Sequence, residues 1–377
     1  MKILLTGANG YIGRRLLPRL VLNGNQVVCL VRDRRRIELE ENLVDKVSFV
    51  EADLLKEDTL KQIPDDIDAA YYLVHSMGTS SSKFHDMEMR AAQNFNAAIE
   101  STACRHLIFL SGIVNEEKLS RHLRSRQEVE KILQSAKVPV TVLRAAIIIG
   151  SGGASFEIIR DLVEKLPVMV APKWLKTRCQ PIAVRNVLEY LEKILLKEKA
   201  FNKTFDIGGP DILTYKEMLM QFAEVRHLKR TIISVPVLSP RISSYWLYFI
   251  TSTSFSLAQS LVDSMKNEVI VQNKGIDKIV DIKLLNYRQA VERAFDRIAQ
   301  NEVISSWKDA LASSNIDTNL MEYMKPPTFG CFKDKREKIY DGDGENVINN
   351  IWRIGGQTGW YSSRWLWEIR GYIDKVV

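Results

Sequence analysis

Residues 1–14, Met-Lys-Ile-Leu-Leu-Thr-Gly-Ala-Asn-Gly-Tyr-Ile-Gly-Arg, decide how the chain folds. Ile3, Leu4 and Leu5 are a short apolar run of the kind that a parallel strand covered on both faces requires. Thr6 and Gly7 end it, and Gly10 and Gly13 follow at intervals of three. Ile12, Leu16, Leu20 and Val21 then recur near a helical period. The pattern predicts strand, tight turn and helix. Gly7 supplies the turn, Gly10 lets the main chain approach a pyrophosphate, and Gly13 lets helix and strand pack closely. Free N–H groups and the positive dipole end of the helix would face the phosphates. Thr6, Gly7, Asn9, Gly10, Tyr11, Ile12 and Gly13 are therefore candidate cofactor contacts. Pro18 interrupts the helix pattern and predicts a kink.

Moving outward, Gln26–Val31 reads as a second strand, with Arg32 at its end about 20 residues past the glycine turn. An acid there would bond the ribose 2′-hydroxyl of NAD, whereas arginine pairs with the 2′-phosphate of NADP. Asp33 lies one step too late, and Arg34, Arg35 and Arg36 follow. The pattern favours NADP(H) over NAD(H), with one or two arginines on the cofactor and the rest in water. After the strand Val47–Val50, Asp53 has two equal readings: an adenine contact, or the cap of a helix starting near Leu54. The run Ala69–Val74 stops at His75-Ser76, where a strand end should line the cofactor.

Strands then alternate with helices: a helix over 84–103, strand Leu107–Leu110 ending at Ser111-Gly112, a charged helix over 121–135, and strand Val138–Leu143. This order predicts an α/β fold, a Rossmann-type doubly wound parallel sheet. The expected division is a nucleotide-binding domain over 1–150, a smaller substrate-binding region over 151–300, a linker over 301–335 with Pro326-Pro327, and an incomplete further segment over 336–377.

These motifs resemble those of the extended and atypical short-chain dehydrogenase/reductases, above all their NmrA-like branch. Thr6-Gly-Ala-Asn-Gly-Tyr-Ile-Gly13 is similar to the family's glycine motif, and Arg32 stands where NADP-preferring members carry arginine. Asp53 matches the adenine-contacting aspartate, and Leu110-Ser111-Gly112 the serine segment of the fifth strand. Pro181–Val187 resembles the opening of a substrate-region helix. Phe205–Pro210 resembles a late strand and turn of the nucleoside-diphosphate-sugar epimerase relatives. The likeness covers roughly residues 1–300, and a bacterial group pairing this fold with a C-terminal domain of unknown function is most similar.

The resemblance implies an NADP(H)-dependent oxidoreductase acting on a small carbonyl or hydroxyl substrate, or an epimerase-type redox isomerase. One departure matters. Active members follow the serine with Tyr-x-x-x-Lys, the tyrosine as acid/base and the lysine holding the ribose. Here His122 and Arg126 occupy that spacing on one helix face. Histidine can move a proton near neutrality, so Ser111, His122 and Arg126 form the candidate catalytic set. A non-catalytic NADP(H) sensor is the alternative.

Bulk composition adds bounds. The net charge of +7 is concentrated around Arg32–Arg36, which the cofactor explains better than nucleic acid does. Cys29, Cys104, Cys179 and Cys331 are scattered without a CxxC pair, the usage of a reducing compartment, and suggest no metal site. With the first strand starting at residue 2, a cytoplasmic location is the expectation. Gly150–Phe156 reads as a glycine–serine loop at the mouth of the cleft. Residues 242–262 lack charge but hold eight Ser or Thr, which argues for a pocket wall, with peripheral membrane contact the minor alternative. Trp352, Trp360, Trp365 and Trp367 load the tail with apolar surface that would pack on the main body or in a homo-oligomer.

Overall fold

The computed structural model describes residues 1–37, 39, 41–74, 82–113, 121–171, 173–234, 267–273, 275–299, 344–352 and 365–366. They fall in two compact units, Met1–Cys331 and Phe332–Val377.

The first unit is built on seven parallel strands. β1 (Lys2–Thr6) leads to α1 (Gly13–Leu22), β2 (Gln26–Val31), β3 (Val47–Glu51), the short α2 (Glu57–Leu60) and β4 (Ala69–Tyr72). Next come α3 (Ser82–Glu100), β5 (Leu107–Gly112), α4 (Arg121–Gln134) and β6 (Val140–Ala145). The sheet order is β3-β2-β1-β4-β5-β6, closed by β11 (Lys203–Ile207), and each pairing is parallel. Alternate residues of one strand serve opposite faces. Ile3 and Leu5 join Leu16, Leu17 and Leu20 of α1, while Leu4 joins Phe95 and Ile99 of α3 and Leu133 of α4. Burial on both faces is why these strands read as continuous apolar runs.

The expected doubly wound sheet is thus present, with shifted element ends. The helix expected near Leu54 begins only at Glu57, because Asp53 Oδ1 accepts from Leu55 N–H (3.0 Å) in a turn first. The sixth strand runs over Val140–Ala145, carrying Arg144 inside it. α1 continues through Pro18 as one hydrogen-bonded helix.

After β6 come β7 (Ile148–Ile149), α5 (Ala154–Lys165), β8 (Val168–Ala171), β9 (Arg178–Cys179), β10 (Ile182–Ala183) and α6 (Val184–Lys193). Past β11 lie β12 (Leu213–Thr214), α7 (Tyr215–Val225), β13 (Thr231–Ser234) and α8 (Tyr287–Ala299). The two- to four-residue strands pair as β7·β10, β8·β13 and antiparallel β9·β12. They are too short for a period to show in the sequence. Phe156, Met218, Phe222, Tyr287 and Val291 form their common core. The returning segment is stitched down where Asp206 Oδ2 accepts from Gln272 and Asn273 N–H (3.0 and 3.1 Å). In the second unit, α9 spans Gly344–Trp352, and Trp365 is exposed. The apolar stretch 242–262, Pro326-Pro327, Trp360 and Trp367 lie outside the described residues.

Candidate functional site

The chain reverses direction across the sheet between β1 and β4, and the crevice at such a switch is where open α/β sheets bind ligands. Gly7 lies in it with φ +69°, and a β-carbon there would sit 2.7 Å from Leu73 O at the end of β4. A β-carbon on Gly13 would fall 2.1 Å from Gly7 O, so turn and helix meet only because that position is bare. Over Gly10 the nearest atom to such a carbon is Gly7 O at 3.1 Å, which leaves room above the turn. Gly10 N–H donates to Gly7 O (2.9 Å), closing the turn. The first turn of α1 has no acidic side chain, so nothing there opposes an anion. Half-buried Asn9 and Ile12 complete the cradle, Ile12 at the helix N-cap.

Two of the candidates carry out supporting tasks. The Thr6 hydroxyl is fully buried below the turn; it donates to Tyr71 O (3.0 Å) and accepts from Leu73 N–H (3.1 Å), tying β1 to β4. The Tyr11 hydroxyl is buried against the loop after β7, where a β-carbon on Gly150 or Gly153 would approach it to 2.8 or 3.1 Å. Desolvation pushes this phenol up to about 12, so it stays in its neutral O–H form near neutrality. Beside it, the Arg15 guanidinium lies 4.2 Å from the Tyr11 ring centre and donates to Ser151 O (2.8 Å). The glycine–serine loop is therefore clamped to the glycine turn. In the sequence only the unusual glycine density at 150–153 hinted at that.

Arg32 is exposed just beyond β2. Asp33 caps the short turn Arg34–Arg36, accepting from Arg35 N–H (3.0 Å) and Arg35 Nε (3.1 Å). Arg34 lies over the Phe49 ring at 5.2 Å, and its backbone N–H donates to Glu51 Oε1 (2.8 Å). The four-arginine cluster is thus divided: Arg35 neutralises Asp33 and Arg34 packs on β3. Half-buried Asp53 has one oxygen engaged by Leu55 N–H in a turn ahead of α2, whose N-cap is Lys56, so it does not cap that helix as one of its two readings expected.

At the end of β5, Ser111 is 3% exposed and in register with Arg144 of β6. Arg144 makes a two-pronged ion pair with buried Glu130 of α4 (Nη2–Oε1 2.6 Å, Nε–Oε2 3.0 Å). One helical turn before Glu130, Arg126 places Nη1 3.2 Å from where a Gly112 β-carbon would stand. Ser111 and Arg126 therefore flank the same strand end. His122 lies one turn earlier in α4; its side chain, like all of His75 and Ser76, lies outside the described residues. Among the described residues no group of three or more His, Cys, Asp or Glu is placed to hold a metal ion. A charged groove of about 790 Å³ opens elsewhere, among Arg19, Asn23, Glu192, Lys283 and Arg293. Its Arg19–Glu192 ion pair and polar lining mark it as a solvated surface rather than the crevice of the glycine turn.

Comparison with known proteins agrees with this geometry. Residues 7–162 match a family model described as NAD(P)H-binding. The chain is 22% identical to the chloroplastic divinyl chlorophyllide a 8-vinyl-reductase of Arabidopsis thaliana, over 56% of its own length and 54% of that protein. It is 23% identical to the mitochondrial NADH-ubiquinone oxidoreductase 40 kDa subunit of Neurospora crassa, over 61% of each. The chain spans about half the length of the first of these curated relatives. Among solved structures, a nucleoside-diphosphate-sugar epimerase of Staphylococcus aureus superposes with a TM-score of 0.64 at 15% identity, covering 78% of this chain and all of that one. No helix among the described residues is long and apolar enough to cross a membrane.

Proposed function

We propose that the chain, whose residues 7–162 match an NAD(P)H-binding family model on a fold similar to that of a nucleoside-diphosphate-sugar epimerase, is an NADP(H)-dependent oxidoreductase for a small carbonyl or hydroxyl substrate. The observation that carries this reading is the bare glycine turn over the β1/β4 switch, with exposed Arg32 beside it. Gly7, Gly10 and Gly13 with the N–H groups of α1 would hold the pyrophosphate. Arg32 would pair with the 2′-phosphate. Asp33, already bonded to Arg35, is withdrawn from the ribose hydroxyls, which favours NADP(H) over NAD(H). The free side of the Asp53 carboxylate would face the adenine, and His75 and Ser76 would line the crevice.

When bound, the nicotinamide supplies or takes hydride. The Ser111 hydroxyl would polarise the reacting oxygen and His122 would carry its proton. Arg126 would hold the ribose hydroxyls. The substrate would enter over residues 151–300, where the clamped Gly150–Gly153 loop meets the phosphate turn. A second reading, a non-catalytic NADP(H) sensor, is favoured by one observation: neither Tyr nor Lys stands at 122 or 126. A redox isomerase of the epimerase kind would use the same bound cofactor.

Fluorescence titration tests the cofactor, and a carbonyl panel with NADPH tests the chemistry. NADPH should bind at least about tenfold tighter than NADH, and Arg32→Ala should remove that preference while sparing NADH. NADPH oxidation lost in His122→Ala supports the enzyme, and tight binding without turnover supports the sensor. Failure to bind either nucleotide overturns both.

A further inference from the structure

Gly150, Ser151, Gly152 and Gly153 are all buried, an unusual place for a glycine–serine loop, because each polar backbone group in it must then find a partner inside the protein. Two N–H groups are satisfied close by. Gly153 N–H donates to Gly150 O (3.0 Å), and Gly152 N–H to Glu157 Oε1 of α5 (2.9 Å). The Ser151 carbonyl instead accepts from Arg15 Nη2 of α1 (2.8 Å). Arg15 is itself buried, 9% exposed, in the first turn of α1, and its guanidinium lies 4.2 Å from the centre of the Tyr11 ring. The Tyr11 hydroxyl in turn rests against Gly150 and Gly153. Tyr11 and Arg15 stand on the stretch whose N–H groups would carry the pyrophosphate. On the other side of the tie, Gly153 is the N-cap of α5, whose Phe156, Ile158 and Ile159 enter the core shared with α7 and α8. One guanidinium therefore joins the glycine turn to the element that opens the region after residue 150.

We propose that Arg15 is a positioning residue that passes cofactor occupancy to the substrate side. A dinucleotide seated on the turn fixes the start of α1, and Arg15 with Tyr11 thereby holds Gly150–Gly153 and the first turn of α5 in place. This rests on the NADP(H) reading of the crevice and adds an order to it, cofactor before substrate. Such coupling needs no large movement, since a ligand that stiffens one end of a tie lowers the entropy cost of ordering the other. Arginine suits the task because its planar fork can stack on a ring and still reach a carbonyl, whereas lysine would keep only the hydrogen bond.

Hydrogen exchange on the full chain tests this, read by mass spectrometry without NADPH and with enough to saturate each variant by fluorescence titration. In the wild type, NADPH should slow exchange at least about fivefold over both 7–16 and 150–157. In Arg15→Ala the first effect should remain and the second should drop below about twofold, whatever the basal exchange of the loop. Arg15→Lys should recover part of the loss. Gly153→Ala would place a methyl 3.1 Å from the Tyr11 hydroxyl, wedging loop and ring apart without touching the guanidinium. It should show the same selective loss, and it decides the matter if Arg15→Ala does not fold.

A loop that NADPH still protects fully in Arg15→Ala overturns the proposal, because Arg15 then only satisfies a buried carbonyl. An alanine variant that no longer binds NADPH overturns it too, since Arg15 would belong to the cofactor seat itself. If NADPH protects 7–16 but not 150–157 in the wild type, the coupling is absent while the cofactor reading stands. Protection of neither segment ends both.

Discussion

His106 is a residue through which pH acts on this fold. It is fully buried at the start of β5, where its Nε2 bonds Thr141 Oγ1 (2.8 Å) and its Nδ1 accepts from Leu196 N–H (3.0 Å). With Nδ1 facing a donor the ring is held neutral, and burial pulls its pKa from 6.5 to about 4. The unfolded chain therefore binds the proton first. The stability this site contributes is complete above about pH 6.5 and is lost as pH falls through about 4, a total of about 3 kcal/mol. Urea midpoints measured between pH 7 and 4 should fall more steeply in the wild type than in His106→Gln; parallel slopes would refute this. At the glycine turn, Gly13→Ala places a methyl 2.1 Å from Gly7 O, backbone that cannot swing aside. That variant should lose NADPH affinity by at least about tenfold and cost about 2 kcal/mol or more in denaturant unfolding. An unchanged affinity would mean the turn does not shape the site.

Among the elements, α1 shows how packing outweighs local preference. Pro18 removes one helical hydrogen bond, yet Leu16, Leu17, Leu20 and Val21 on either side stay buried against β1 and β2, and the helix continues. Pro18→Ala should restore the bond and raise stability by about 1–2 kcal/mol in thermal unfolding, a destabilised variant being the contrary result. α4 was legible as a helix, but its task was not. The sequence offered His122 and Arg126 as one face of it, but not that Ser125, Glu130 and Arg126 reach Glu88, Arg144 and the Gly112 strand end. The arginine cluster behaved similarly. Dividing it between cofactor and water did not anticipate that Asp33 caps the turn and engages Arg35. Charges in a short sequence window show their number, not the partners brought to them from other strands.

For the whole molecule, the strands of the seven-stranded sheet and the residues proposed for the cofactor all belong to the unit Met1–Cys331. A chain ending after Cys331 should therefore bind NADPH within about twofold of the full chain. A large loss would give the last 46 residues a share in the site. The proposed division at 150 and the linker over 301–335 would be tested by limited proteolysis of the full chain. By itself the sequence determined the Rossmann architecture and the place of the tight glycine turn after the first strand, because both rest on local patterns: apolar runs for strands buried on two faces, and glycines where backbone must touch backbone. Only the tertiary structure decided which distant side chains meet. Arg15 reaches Ser151 from 136 positions away, and Glu88 meets Ser125 from 37. Such pairs form when the sheet brings distant strand ends together, and no window along the chain contains both members.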